Sequence, residues 1–359
     1  MPIISSKKKK IHVNLKFGNL LVIILLAMSL ISCSKSLSRE EGQKYLRAFD
    51  NEFIQLATRI NKTDAAGSME ALSVLPDVPL PFLIKNERDI TSGLGAYNFE
   101  KAKGKYLFSK GKTILDKEGE SDSVCVTFPF KSKNDSLAQF ILKQYSESPT
   151  SLQMMFPEVI EASIVAKNKV LANISYRAIL KHDLPADAEM DILFSDFQIN
   201  ISLETSFQKS HGTITVKLKV MEDNKPMLTG TVVTEVKVTS DKTLVYNDKT
   251  MEFEIFPVKI YFQSEQDFTN SKADHFIENF NEKSVFTIYT HSGDKIGDVF
   301  LARIDGRDRL NMHIRYSDGY VENLEDLLLS IRKILNFKLV YMKPYYDGEL
   351  QACQNFTLP

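Results

Sequence analysis

The residues able to do chemistry are few and scattered. His182-Asp183, followed by Asp187, Glu189 and Asp191, is an acidic run that could be drawn as a catalytic or calcium-binding cluster, but Pro185 and its place between two strand-like runs make it read as a solvated turn. The other histidines are His12, His211, His275, His291 and His313, and no two histidines of the body fall within five residues of each other. Without a His-Glu-x-x-His or Cys-x-x-Cys spacing, any zinc site would have to be assembled by the fold from distant residues. Gly104 and Gly111-Lys112-Thr113 imitate a phosphate loop, yet six residues separate the glycines where the motif needs four, and no helix start follows to receive a phosphate. No Gly-x-Ser-x-Gly elbow occurs. Asp347-Gly348-Glu349 reads as a turn in a polar tail. These patterns nominate no catalytic residue, no metal ligand and no cofactor, and the expectation is a protein that is not an enzyme.

The start of the chain is more specific. Lys7 to Lys10 and Lys16 form a basic leader, the run Leu20 to Met28 is apolar, and Leu30-Ile31-Ser32-Cys33-Ser34 closes it. The apolar run is short for a membrane span of ~20 residues. This succession resembles the signal and lipobox of bacterial lipoproteins, with Leu30 at −3, Ser32 at −1 and Cys33 at +1. The resemblance covers about the first tenth of the chain and implies cleavage between Ser32 and Cys33, a diacylglycerol on the Cys33 thiol and an acylated new amine. Several acyl chains anchor firmly, each buried methylene contributing ~0.8 kcal/mol. Ser34 at +2 differs from the Asp of inner-membrane retention, and Lys35 and Arg39 replace the acidic stretch that resembles the surface-export signal of Bacteroidota lipoproteins. The resemblance therefore implies an address on the periplasmic face of the outer membrane.

Of the 3 cysteines, Cys125 and Cys353 remain. In an oxidising compartment they either form a disulfide that ties the tail to the body or stay as two free thiols, Cys125 partly buried in a strand.

Composition sets the wider bounds. The 359 residues are 43% hydrophobic and 25% charged, enough to bury a substantial core. Beyond the basic leader the charges are mixed and mildly acidic, 40 basic against 46 acidic residues, which is no footprint for nucleic acid. Trp is absent, which weakens any resemblance to Trp-bearing glycan-binding lipoproteins.

Periodicity supplies the scaffold. Ser38-Arg39-Glu40-Glu41 has capping-box spacing, and Tyr45, Phe49, Phe53, Leu56 and Ile60 make one helical face lasting to about Asn61. A second helix is expected over 64–75, stopped by Pro76, Pro79 and Pro81. From Tyr97 the period becomes two, with strands expected at 97–100, 105–109, 123–130, 169–180, 197–207, 213–220, 228–238 and 251–255. The C-terminal part mixes a helix at 273–280, strands at 285–289, 298–304 and 311–316, and a final helix over 321–337. The expected class is α+β and β-rich: a curved antiparallel meander sheet, sandwich or half-barrel, with an N-terminal helical segment and a C-terminal amphipathic helix. The expected divisions are the signal at 1–32, the helical segment and Pro-rich joint at 33–95, a β domain at 96–263, a mixed part at 264–343 and a tail at 344–359.

So many strands need an apolar partner and few helices are on offer. The sheet either curls on itself or leaves a concave apolar surface for something else. Three functions follow. The leading one is a non-enzymatic binding or scaffold lipoprotein, in its sharper form a carrier or chaperone for an apolar ligand, similar in plan to the half-barrel lipoprotein carriers of the envelope. Its partners would be the membrane through Cys33 and an apolar ligand or envelope protein, with no nucleic acid. The second is an adhesin or pilus-like subunit assembled by strand exchange. The third is a hydrolase with a site assembled by the fold.

Overall fold

The computed structural model describes residues 36–75, 78–81, 91–92, 96–108, 115–131, 136–150, 155–181, 184–240, 244–265, 276–303 and 310–330. Cys33, the signal and residues 331–359 lie outside them.

Helix α1 (Arg39–Asn61) begins where the capping box requires: the Ser38 hydroxyl accepts the Glu41 amide, and the Glu41 carboxylate accepts the Ser38 amide. Helix α2 (Asp64–Ser73) follows after two residues, capped by Thr63. Next come a two-stranded ribbon, β1 (Thr91–Ser92) and β2 (Ala96–Tyr97), and a short helix α3 (Phe99–Ala102). The expected strand over 97–100 is thus cut short, because the Asn98 side chain accepts the Lys101 amide and turns the chain into a helix.

All later strands join one sheet. They are β3 (Gly104–Leu107), β4 (Asp116–Gly119), β5 (Val124–Lys131), β6 (Ser136–Pro149), β7 (Met155–Ala166), β8 (Lys169–Lys181), β9 (Leu184–Phe194), β10 (Phe197–Gln208), β11 (His211–Glu222), β12 (Lys225–Val238), β13 (Leu244–Ile255) and β14 (Val258–Ser264). Helix α4 (Phe276–Lys283) then leads to β15 (Ser284–Thr290), β16 (Lys295–Arg303), β17 (Leu310–Arg315) and β18 (Val321–Asn323), with α5 (Leu324–Leu327) after them. The 16 strands are ordered β18 to β5 without a crossover, then β3 and β4, and every pairing is antiparallel except β3 with β5. The sheet is open, with β4 and β18 as its edges. Bulges in the pairings of β6 with β7, β8 with β9 and β12 with β13 add to the natural coil of long strands.

Tight hairpins explain the meander. Lys167-Asn168 and Asp223-Asn224 have positive φ at both turn residues, the geometry of two-residue turns whose twist matches the strands. These turns, with those at 195–196, 256–257, 291–294 and 317–320, all lie along one edge of the sheet, hereafter the turn edge.

The two long helices lie across the strands beside that edge. Near its start, α1 abuts β16 and the end of β17, where a Cβ on Gly42 would meet Ile296 and Tyr316 side-chain atoms at 3.1 Å. Near its end, Arg59 grips Glu222 at the end of β11 through two nitrogens at 2.8 Å. A 23-residue helix is ~35 Å long, and the six strand steps from β17 to β11 span ~29 Å, so one helix bridges them. Helix α2 continues the layer against β5 and β8. The core is where these helices meet the sheet: Leu46, Phe49, Leu56 and Leu72 bury against Phe128, Phe140, Ile164, Phe194, Phe197, Val220, Ile255 and Ile314.

Two further expectations change. The acidic residues Asp187, Glu189 and Asp191 are not in a turn; they alternate along β9 with Ala186, Ala188, Met190 and Ile192. The strand was legible in that alternation, and Pro185 sits at its first residues, where a missing amide is tolerated. The final helix does not begin at Val321: 321–323 form β18, paired to β17, and Leu328 is extended after α5. Its expected stripe of Val321, Leu324 and Leu328 is therefore divided between a strand, a helical turn and a bend.

Candidate functional site

Register shows what the helices leave uncovered. On the helix-facing side of the sheet, side chains fall into cross-strand rows, each identified here by its β11 residue. The Val220 row, with Ile199, Leu228, Ile255 and Val258, lies near the turn edge and is largely buried beneath the helices. In the Leu218 row, Met190, Ile201, Gly230, Phe253 and Ile260 are half-buried. In the Val216 row every member is half-buried: Leu203, Val216, Val232, Met251, Phe262 and Phe286, with Ala188 and Ala178 continuing it onto β9 and β8. Among the described residues α4 reaches this row, the Phe280 ring stacking on Phe262 with centroids 5.8 Å apart, and Phe286 packs against the buried core.

The next row changes character. Thr205, Ile214, Thr234, Lys249, Ser264 and Ser284 follow one another across β10 to β15. The Leu218 and Val216 rows carry no charge, and the Ile214 row carries one, Lys249, which forms no ion pair with a described carboxylate. Beyond the two uncharged rows, the Ile214 row is rich in hydroxyls, of which Thr234 and Ser264 are buried, and it holds one half-buried cation, Lys249. The half-buried apolar rows can hold an elongated apolar molecule by burial, with Lys249 placed to meet a polar end.

The opposite face is polar and carries a concavity, of about 480 Å³, over β12 to β15. Thr229, Thr231, Glu252, Glu254, Lys259, Tyr261 and Tyr289 line it. Beside it the Glu254 carboxylate bonds His291 Nδ1 and lies 3.8 Å from Lys259 Nζ. A carboxylate-oriented imidazole can move protons, but no hydroxyl or thiol nucleophile bonds this pair among the described residues, and His291 is exposed. Alternation of Glu252 and Glu254 with Met251 and Phe253 was the only sequence signal for this cluster.

The residues singled out from sequence do not converge. Cys125 is a buried free thiol near the hydroxyls of Ser121 and Ser123, at 3.6 and 3.8 Å, and Cys353 lies outside the described residues. Asp191 accepts from Gln198 and Asn200, Glu189 from Asn200, and Asp187 pairs with Lys181, a solvated ladder on the polar face. His211 bonds Ser210, and His313 packs beside Phe300. His182, Asp183 and His275 lie outside the described residues, as do Gly111, Lys112 and Thr113. Among the described residues no group of three or more His, Cys, Asp or Glu could hold a metal, and no helix is long and apolar enough to cross a membrane.

Compared with protein-family models, curated proteins and solved structures, the chain matches none.

Proposed function

We propose that this chain is a non-enzymatic lipoprotein of the bacterial outer membrane, facing the periplasm through lipid on Cys33, that carries an acyl-bearing cargo on the helix-facing side of its sheet. The observation that carries the reading is the Val216 row: among the described residues, uncharged apolar side chains on consecutive strands, all half-buried and lying past the two long helices. A cargo burying about 300 Å² of that surface would gain ~7 kcal/mol, from which the loss of its own freedom must be subtracted. What remains from this row alone corresponds to roughly millimolar binding, so tighter retention draws on the adjoining Leu218 row as well. The half-buried Lys249 suits the polar end of such a cargo.

The adhesin reading has weaker support, since the sheet's edge strands are poor templates for exchange. β18 has 3 residues, and β4 is Asp116-Lys117-Glu118-Gly119, short and charged.

Native mass spectrometry of residues 34–359, exported behind a signal that is cleaved without lipidation and prepared without detergent, tests the carrier reading. An apolar mass that co-purifies and is lost on denaturation is expected. A bare mass, together with no binding of a fluorescent fatty acid, overturns it.

A further inference from the structure

The segment after the lipidated cysteine is tied down almost at once. Ser36 forms a parallel bridge with Lys295, the Leu37 amide donates to the Lys295 carbonyl at 3.0 Å, and the Ser317 hydroxyl donates to the Leu37 carbonyl at 2.9 Å. Leu37 itself is buried. Lys295 starts β16 and Ser317 opens the β17–β18 turn, so both holds are on the turn edge. Cys33 is three residues before Ser36, a reach of at most ~11 Å. A lipid on Cys33 therefore cannot hang the body on a long leash; it draws this edge to the bilayer surface.

The same edge carries exposed apolar side chains. Phe256, in the β13–β14 turn, is 68% exposed, the most exposed of the large apolar residues among those described. Its ring stands against His291, 5.8 Å between centroids, in the turn that leads to Lys295. Tyr320 and Val321 are exposed in and after the β17–β18 turn. Leu137, Val170 and Leu193, also exposed, sit near the ends of their strands on this edge. Ile179, Tyr246 and Val285 are exposed toward the other edge, away from the described contacts of Ser36 and Leu37.

We infer that the turn edge is a membrane-docking surface, with Phe256 entering the lipid head-group layer of the bilayer that holds Cys33. An aromatic ring beside a short tether gains apolar burial there while its polar turn stays wet. The Ile214 row then lies on the side of the sheet away from that bilayer. The inference rests on the lipidation of Cys33.

The chain has no Trp, so a single introduced one reports its own surroundings. The full-length protein is produced in an exporting bacterium, its acyl groups are verified by intact mass, and it is reconstituted into phosphatidylethanolamine–phosphatidylglycerol vesicles. Phe256→Trp and, as a second reporter on the same edge, Tyr320→Trp are compared with Tyr246→Trp, ~33 Å away from Phe256 along β13. The expected result is blue-shifted emission quenched by brominated lipids for both turn-edge reporters, and water-like, unquenched emission for Tyr246→Trp. An acylated, vesicle-bound protein whose Phe256→Trp and Tyr320→Trp emissions stay water-like overturns the docking surface alone, as does quenching confined to Tyr246→Trp. A protein with no acyl mass overturns the lipid anchor and this inference together.

Discussion

The carboxylate of Asp50, in the middle of α1, accepts the backbone amides of Leu329 at 3.2 Å and Ser330 at 2.9 Å, joining residues 279 and 280 positions apart. The Ser330 hydroxyl donates to it as well. Asp50 is only 6% exposed, so these donors stand in for water that cannot reach the group. They also fix the last described residues against the first helix.

Asp50→Ala is expected to destabilise the fold by roughly 1–3 kcal/mol, because it leaves buried amides without an acceptor. Asp50→Asn retains one acceptor oxygen and is expected to lose less. Urea midpoints for the two variants, at unchanged slope, check the order; equal midpoints would remove the cap from the account.

A charge placed on the uncovered rows should remove cargo binding without unfolding the protein. Met251→Glu is expected to weaken fluorescent fatty-acid binding at least about tenfold, ~1.4 kcal/mol, with a melting transition close to that of the parent. Asp191→Asn, on the polar face, is expected to leave binding unchanged. Parallel titrations of the two variants decide whether the helix-facing side is the site.

Lys249 should matter for the polar end of the cargo and not for its chain. Lys249→Met is expected to weaken an anionic amphiphile such as oleate by roughly two- to fivefold, the ~0.5–1 kcal/mol of a partly solvated ion pair. It should leave the neutral alcohol of the same chain length unaffected. Calorimetry with both ligands, at low and high salt, separates the contributions.

The fold should weaken in alkali through its tyrosines. Burial pushes the Tyr316 phenol well above its ordinary value, and its hydrogen bond to Glu322, at 2.9 Å, and the charge of that carboxylate add to the rise, while Arg39 and Arg47 oppose it in part. Burial also raises Tyr97 and Tyr145, and at Tyr145 the Glu147 carboxylate adds to the effect. A phenol that keeps its proton when folded and loses it when unfolded contributes stability fully below the unfolded value of about 10. That contribution is lost as pH rises from there toward the folded values. Urea unfolding from pH 8 to pH 11 is expected to show the decline, and Tyr316→Phe should lessen it, since Glu322 keeps its bond from Gln43 at 2.8 Å.

Local rules determined much of this chain. The capping box placed α1 to the residue, because Ser38 and Glu41 satisfy each other's amides without help from elsewhere. Strict alternation placed β10 and β11, because a strand with one wet face must segregate its side chains at period two. Where two signals competed, the local reading failed: Pro185 and five charged or titratable neighbours masked β9, and β6 and β7 were missed altogether. Val321 to Leu328 has a helical stripe, yet pairing with β17 claims its first three residues.

Tertiary structure alone decided the rest. No short-range rule says that α1 crosses the strands beside the turn edge, or that two helices cover the Val220 row and stop before the Val216 row. That coverage depends on contacts between residues more than a hundred positions apart, Arg59 with Glu222 and Gly42 with Tyr316 among them. The sequence states which residues are apolar. Only the packing of distant elements states which of them remain uncovered, because burial belongs to the assembled surface and not to any segment of the chain.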